Sequence, residues 1–334
     1  MTLESHLHPA DRPAIFPTAM ADFSKNLFTY FRTSDPALEN RDFIVSSASG
    51  RFTYGDLDRR SAQIAQSLVA SGVKPGDRVA VQTQKCVEFI FLYCACLRVG
   101  AVFLPLNPAY TAHEVSYFLR DSQAHTFVAA PERLNELERI ARESGVKVVW
   151  TLSAKAGSLL RDANERDSSF ATVDRSENDL AAILYTSGTT GRSKGAMLSH
   201  QNLISNALTL IHEWGFADSD VLIHSLPLFH THGLFVACHC VLFSGSSMIF
   251  NEKFDPSSAI AQFEKGTVLM GVPTFYTRLL EEVSLRSDRL GQMRLFISGS
   301  APLLSETHVA FEQRTKMKIL ERYGMTETTM LTSN

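Results

Sequence analysis

The sequence predicts an α/β protein built on mainly parallel sheets. Three observations carry this. Short apolar runs of strand length alternate with helix-length periodic stretches between residues 43 and 321, the order a parallel sheet needs because each crossover takes a helix. Capping residues, glycines and prolines fall at the boundaries of those runs. The 334 residues, 45% of them hydrophobic and 20% charged, suffice for a substantial core in more than one layer.

Residues 1–20 are rich in proline and are expected to form an N-terminal extension ahead of the folded part at 21–334. Residues 26–31 read as a short amphipathic helix. Phe43-Ile44-Val45 and Arg51-Phe52-Thr53-Tyr54 read as strands around a Ser/Gly turn. Thr53-x-x-Asp56 is a capping box, followed by Leu57, Ile64 and Leu68 at helical spacing and by Gly72 as a stop. Lys74-Pro75-Gly76-Asp77 turns the chain into a strand at 78–82. An apolar helix at 87–99 then ends at Gly100 before a strand at 101–104. The alternation continues with a helix at 113–119, a strand at 126–129, a helix at 133–143 and a strand at 146–150. Residues 154–178 turn polar, as expected of a surface excursion or a joint between layers at about 21–153 and 179–334.

The second layer begins with the apolar run Leu180 to Leu184. Ser199 caps a helix at 201–214, a strand follows at 221–225, and an apolar helix at 234–243 comes after Pro227. Asp255-Pro256 opens another helix, 268–272 is a strand, and Pro273 opens a helix running to Val283. A strand at 293–298, a last helix capped by Ser305, and a final strand at 318–321 complete the order.

Charge narrows the function classes. A net charge of −3 and a pI near 6.4 argue against a nucleic-acid or anionic-membrane partner. No apolar run reaches membrane-spanning length, and residues 1–20 carry neither a signal nor a transit pattern, so a cytoplasmic protein is expected. The five cysteines, Cys86, Cys94, Cys96, Cys238 and Cys240, sit among apolar residues and read as reduced core thiols. Cys238-His239-Cys240 lacks the C-x-x-C spacing of a zinc site and reads as buried helix.

The run Tyr185-Thr186-Ser187-Gly188-Thr189-Thr190-Gly191-Arg192-Ser193-Lys194-Gly195 carries the chemistry. Its glycines let backbone N–H groups approach an anion, its hydroxyls donate, and Lys194 adds a positive charge. A polyphosphate suits all three. It is not the common nucleotide loop: counting from Gly188, the second required glycine falls on Ser193, and Lys194 is followed by Gly195 rather than Ser or Thr.

The spelling resembles the signature of adenylate-forming enzymes, the superfamily of acyl-CoA synthetases, firefly luciferase and peptide-synthetase adenylation domains. Further motifs match in family order: Phe52 to Leu57, Gly100 to Pro108, Gly299-Ser300-Ala301-Pro302 and Tyr323-Gly324-Met325-Thr326-Glu327. The resemblance implies the large N-terminal domain of that family, two stacked, mainly parallel sheets with helices. It implies a reaction in which a carboxylate and ATP give an acyl-adenylate and pyrophosphate, after which the thiol of coenzyme A displaces AMP. Catalysis would then be electrostatic, from placed donors and a magnesium ion.

By the same resemblance, Thr186, Ser187, Gly188, Thr189, Thr190, Gly191 and Lys194 enclose the β- and γ-phosphates, Thr326 donates to the α-phosphate, and Glu327 helps hold Mg2+. Ser300 and Ala301 receive the adenine face, with Glu321, Arg322, Tyr323, Gly324 and Met325 completing the nucleotide wall and Tyr323 as the stacking ring. Acid choice is expected near His230, Thr231 and Arg278. Arg278 either lies on the solvated flank of its helix or pairs with the second carboxylate of a short diacid. The segments at 229–233 and 272–278 look most like those of malonyl-CoA synthetases, in which an arginine on this helix binds the distal carboxylate. A medium-chain or aryl acid–CoA ligase and a non-catalytic nucleotide binder remain as alternatives. The family also has a downstream ribose-binding aspartate and a small C-terminal lid domain, absent up to Asn334, so a C-terminally incomplete chain is expected.

Overall fold

The computed structural model describes residues 25–186 and 192–333; the extension expected at 1–20 lies outside the described residues. Strands β1 (Asp42–Ser46) and β2 (Gly50–Thr53) form a hairpin that leads into helix α1 (Tyr54–Ala70), whose start is the expected Thr53/Asp56 capping box. Next come β3 (Arg78–Gln82), α2 (Val87–Val99), β4 (Val102–Pro105), α3 (Ala112–Asp121), β5 (Thr126–Ala129), α4 (Leu134–Glu143), β6 (Val148–Thr151) and the short α5 (Ser158–Ala163). Gly100 ends α2 in the left-handed region at φ +71°, where a side chain would be strained.

The second half supplies β7 (Leu180–Thr186), β8 (Lys194–Ser199), α6 (His200–Trp214) and β9 (Val221–His224). A π-helix (His232–Cys238) then runs into α7 (His239–Ser244). After it come β10 (Ser247–Phe250), α8 (Pro256–Gln262), β11 (Val268–Gly271), α9 (Pro273–Glu281), β12 (Leu295–Ser298), α10 (Ser305–Thr315), β13 (Ile319–Met325) and β14 (Thr329–Ser333).

Two sheets result, in the orders β6-β5-β3-β4-β7-β8 and β14-β13-β12-β11-β9-β10-β1-β2. All neighbours are parallel except the hairpins β1–β2, β7–β8 and β13–β14. Helix α2, buried along its whole length, lies between the sheets with α6 and the π-helix in one continuous apolar core. Helices α3 and α4 cover the outer face of the smaller sheet, and α8, α9 and α10 that of the larger. Among the described residues, no helix is long and apolar enough to cross a membrane.

Several expectations change. The sheets do not divide the chain at 153/179: β1 pairs with β10 across some two hundred residues of chain, and β7 closes the first sheet against β4. Residues 26–31 form a 3-10 turn, Leu27–Tyr30, because Asn26 caps Phe28 while its amide donates to Leu97 and Val173 carbonyls, fixing the chain too tightly for a longer helix. Ser305 is the first helical residue of α10 rather than its cap; Leu304 occupies that place without a side-chain bond. The final strand is β14, not residues 318–321. The cysteines are free and buried, and burial pushes their thiols up, as expected of core thiols.

Three imidazoles are folded in as neutral groups. Burial lowers His200 to about 4, and His224 and His239 to about 3. Between pH 6.5 and about 4 the unfolded chain therefore holds protons that the folded chain does not. Stability rises with pH in that window and is lost as pH falls through it, these three groups alone contributing a slope that approaches three protons, about 4 kcal/mol per pH unit at the limit. Urea midpoints are expected to fall steeply from pH 6.5 to pH 4.5; a flat profile would contradict the buried neutral assignment.

Candidate active site

Thr186 ends β7 and Lys194 begins β8, and the two are paired across the antiparallel ladder. The strands thus hold the base of the phosphate loop, while Ser187, Gly188, Thr189, Thr190 and Gly191 lie outside the described residues. Helix α3 braces that base. The Tyr117 hydroxyl donates to the Ser193 carbonyl at 2.8 Å, the Arg192 guanidinium sits 4.5 Å above the Tyr117 ring, and the Tyr185 hydroxyl donates to Asp121 at 2.7 Å. Lys194 is exposed and Thr186 half-buried.

The β13–β14 hairpin carries the other polar residues. Its turn places Glu327 and Thr328 near α6, Thr326 lying outside the pocket they share with that helix, and β14 is pinned there by Asn206 donating to the Met330 carbonyl at 2.9 Å and Trp214 to the Ser333 hydroxyl at 3.0 Å. Glu327, Thr328 and Thr329 line a pocket of about 300 Å³ with Leu198 of β8 and the polar face Asn202–Thr209 of α6. No group of three or more His, Cys, Asp or Glu poised for a metal occurs among the described residues. An exposed carboxylate among hydroxyls and amides fits a magnesium ion, which binds through one or two carboxylates and keeps waters and substrate phosphates as its other ligands.

A second pocket, of about 480 Å³, lies on the other side of the hairpin. Ser300, Ala301, Pro302, Glu321, Arg322, Tyr323 and Gly324 line it, so these nucleotide-wall candidates come together. Met325 does not line it and is exposed. The Tyr323 ring is open to solvent, and Glu321 is fixed by the Leu303 N–H at 3.0 Å. Ser300 adopts φ +72°, a conformation rare for a side-chain-bearing residue, and its hydroxyl meets His232 Nδ1 at 3.3 Å. The residue before it must be glycine, since a Cβ at Gly299 would stand 2.4 Å from Arg322 Nε.

The acid-pocket candidates separate. His230 is open to solvent, Thr231 is buried, and Arg278 is exposed. The Arg278 guanidinium stacks 5.2 Å above Phe254 and donates to the Phe254 carbonyl at 3.4 Å. Phe254 in turn lies flat on Phe275, with centroids 3.7 Å apart. These two rings help wall a third cavity of about 300 Å³, together with Lys85, Phe89, Pro227 and Phe229.

Sequence reasoning missed Lys85 and His224. His224 Nε2 donates to the Gly233 carbonyl at 2.8 Å, which leaves Nδ1 to accept from Lys85 Nζ at 2.9 Å; Lys85 also donates to the His224 carbonyl and lies 4.4 Å above Phe250. Burial lowers this amine to about 7. A lone cation between an apolar strand and an apolar helix was the available signal. Buried His232 is likewise held well below the usual imidazole range, by burial and by the Arg322 charge.

Comparison with known proteins bears on these pockets. The family model described as AMP-binding enzyme matches residues 32–334. The chain is 31% identical over 339 residues to the human mitochondrial malonate–CoA ligase, covering 95% of this chain and 57% of that protein. It is 32% identical over 281 residues to a feruloyl-CoA synthase of an Amycolatopsis species, covering 82% of this chain and 54% of the relative. The crystal structure of ATP-bound MatB from Rhodopseudomonas palustris superposes with a TM-score of 0.90 at 51% identity, over 93% of this chain and 62% of that one. The chain thus spans little more than half the length of the curated relatives it matches.

Proposed function

The chain belongs to the AMP-binding enzyme family, and from that premise we propose that the full-length protein is an ATP-dependent acid–CoA ligase activating a short dicarboxylate, malonate above all. The observation that carries this is the β13–β14 hairpin, which lines two polar pockets at once, one bordered by the strand leaving the phosphate loop and one walled by Ser300 and Tyr323. Likeness to a malonate–CoA ligase and to MatB supports the choice of acid.

In this reading a carboxylate oxygen attacks the α-phosphorus of ATP and the bond to pyrophosphate breaks, leaving an acyl-adenylate. The coenzyme A thiol then attacks the acyl carbon, loses its proton, and AMP departs with the bonding pair. Adenylation turns a carboxylate oxygen, a poor leaving group, into part of a good one. Thr186, Lys194 and the loop residues Ser187 to Gly191 hold the β- and γ-phosphates, and Thr326 donates to the α-phosphate. Ser300, Ala301, Glu321, Arg322, Gly324 and Met325 border the nucleotide, and Tyr323 offers its open ring to the adenine. Glu327 would hold the magnesium ion, which supplies charge neutralisation on the phosphates. His230, Thr231 and Arg278 face the acid.

A second reading, an aryl acid–CoA ligase, is favoured by the cavity walled with Phe89, Phe229, Phe254 and Phe275 and by likeness to a feruloyl-CoA synthase. Acid-dependent ATP–pyrophosphate exchange by the full-length protein, run across malonate, methylmalonate, octanoate and coumarate, decides between them. Exchange with malonate and not coumarate is expected; the reverse would establish the aryl reading.

Arg278 supplies the sharper comparison. As an exposed cation stacked on Phe254, a wall of the aromatic cavity, it is expected to act in acid capture, so Arg278→Leu should raise the KM for malonate about tenfold, the scale of one surface charge-assisted contact. Activity toward coumarate should not change. An unaltered malonate KM would place Arg278 on a merely solvated flank.

A further inference from the structure

Lys85 lies on the connection between β3 and α2, half-buried, with its side chain in the wall of the aromatic cavity. Its hydrogen bonds are those a neutral amine can make. Two acceptors of His224 face Nζ, the ring Nδ1 at 2.9 Å and the carbonyl at 3.0 Å, and Nδ1 stays an acceptor because Nε2 donates to Gly233. A neutral amine has two N–H bonds, so this pair uses both and leaves the nitrogen lone pair outside it. The Phe250 face at 4.4 Å favours the cation, as does Glu252, which acts from a distance with no ion pair among the described residues. Against them stand burial, a second cation, Lys253, in the wall of the same cavity, and a Cys238 thiol whose pKa is pushed up to about 12, so that it carries no charge. Burial prevails and brings the amine down to about 7. About half of the protein then carries a nucleophilic nitrogen in neutral solution, where an ordinary lysine is almost wholly protonated.

We propose that Lys85 is a site of self-acylation, taking the acyl group of the protein's own activated acid, as acyl-adenylate or as thioester, and keeping it as an amide in the aromatic cavity. This rests on the acid–CoA ligase reading above and goes beyond it. The Nζ lone pair attacks the acyl carbon. The bond from that carbon to the AMP oxygen, or to the coenzyme A sulfur, breaks, and the leaving group departs with the bonding pair. The nitrogen loses its extra proton to water, and no oxidant or reductant is needed. The cavity suits the product. Phe89, Phe229, Phe254 and Phe275 wall a volume of about 300 Å³, and Arg278, stacked on Phe254, offers a cation to an acyl arm that ends in a carboxylate. An acyl group on Lys85 fills space next to the acid's capture residue, so activation falls as the adduct builds up.

The test incubates the full-length protein in two arms, malonate with ATP and Mg2+ but no coenzyme A, and malonyl-CoA alone. Each is digested and read by peptide mass spectrometry, with ATP–pyrophosphate exchange measured alongside. The expected result is one malonyl group placed on Lys85 by its fragment ions, gained about tenfold or more faster than on exposed Lys74, Lys147 and Lys316. Labelling in the first arm makes the adenylate the donor; labelling in the second alone makes it the thioester. The unprotonated amine is the reactive form, so labelling of Lys85 should rise through about pH 7 and then level off, while the exposed lysines continue to rise. With malonyl-CoA, Lys85→Arg should remove the adduct and leave the exposed lysines labelled as before. Exchange without an adduct on Lys85 in either arm, or labelling no faster than at the exposed lysines, would overturn the proposal. Absence of exchange counts instead against the reading of the protein as a malonate ligase, and the malonyl-CoA arm then decides Lys85 by itself, no adduct there overturning the assignment.

Discussion

Lys194→Ala in the full-length protein is expected to lower acid-dependent ATP–pyrophosphate exchange by about two to three orders of magnitude, the cost of removing one placed donor from a site of developing negative charge. The fold should not register the change. Lys194 is exposed at the start of β8, where the strand is held by backbone pairing to Thr186 rather than by the side chain. Its melting temperature should stay within about 2 °C of the parent, as for most surface substitutions. Coenzyme A transfer from chemically supplied acyl-adenylate is the internal control, because no pyrophosphate leaves in that half-reaction. It should be far less affected. Exchange within about threefold of the parent would remove Lys194 from the phosphate site.

Gly233→Ala is expected to produce the largest loss of stability, about 3 kcal/mol, the upper end of what overpacking a core typically costs, with less soluble protein at 37 °C. A Cβ at residue 233 would stand 2.1 Å from the Pro227 carbonyl oxygen and 2.9 Å from its carbon. Both are backbone atoms in the core and cannot rotate away. The same residue's carbonyl accepts from His224, so moving the π-helix to relieve the clash would also break the Lys85–His224–Gly233 chain. Urea denaturation of the purified variant checks the prediction; a midpoint within experimental error of the parent would show that the close approach to Pro227 can relax.

Legibility along the chain followed locality. The capping box at Thr53 and Asp56, the strands at 78–82 and 126–129, and the helix from Val87 to Gly100 were readable because each is decided by residues a few positions apart. β10 was not: it is four residues long, and its strand character comes from lying between β9 and β1. β8 and β14, which follow the phosphate loop and the 323–327 motif, were not assigned as strands, since their strand state depends on pairing with β7 and β13. The apolar run after Pro227 promised an α-helix and yielded a π-helix, whose extra residue per turn accompanies the approach of Gly233 to Pro227.

The site divides the same way. The phosphate loop, the 299–302 turn and the 323–327 motif are contiguous runs whose residue types state their chemistry, so the sequence alone determined the family, the α/β class and the pool of polar groups. Tertiary structure decided which of those groups are exposed, paired or stranded. Arg278 and Arg322 look alike as letters, yet one stacks on Phe254 in the open and the other is buried beneath Gly299 without an acceptor among the described residues. That difference arises from the parallel pairing of β12 with β13 and the return of β14 onto α6, contacts between segments distant in the chain, and burial is what turns a common cation into a charge that requires a partner.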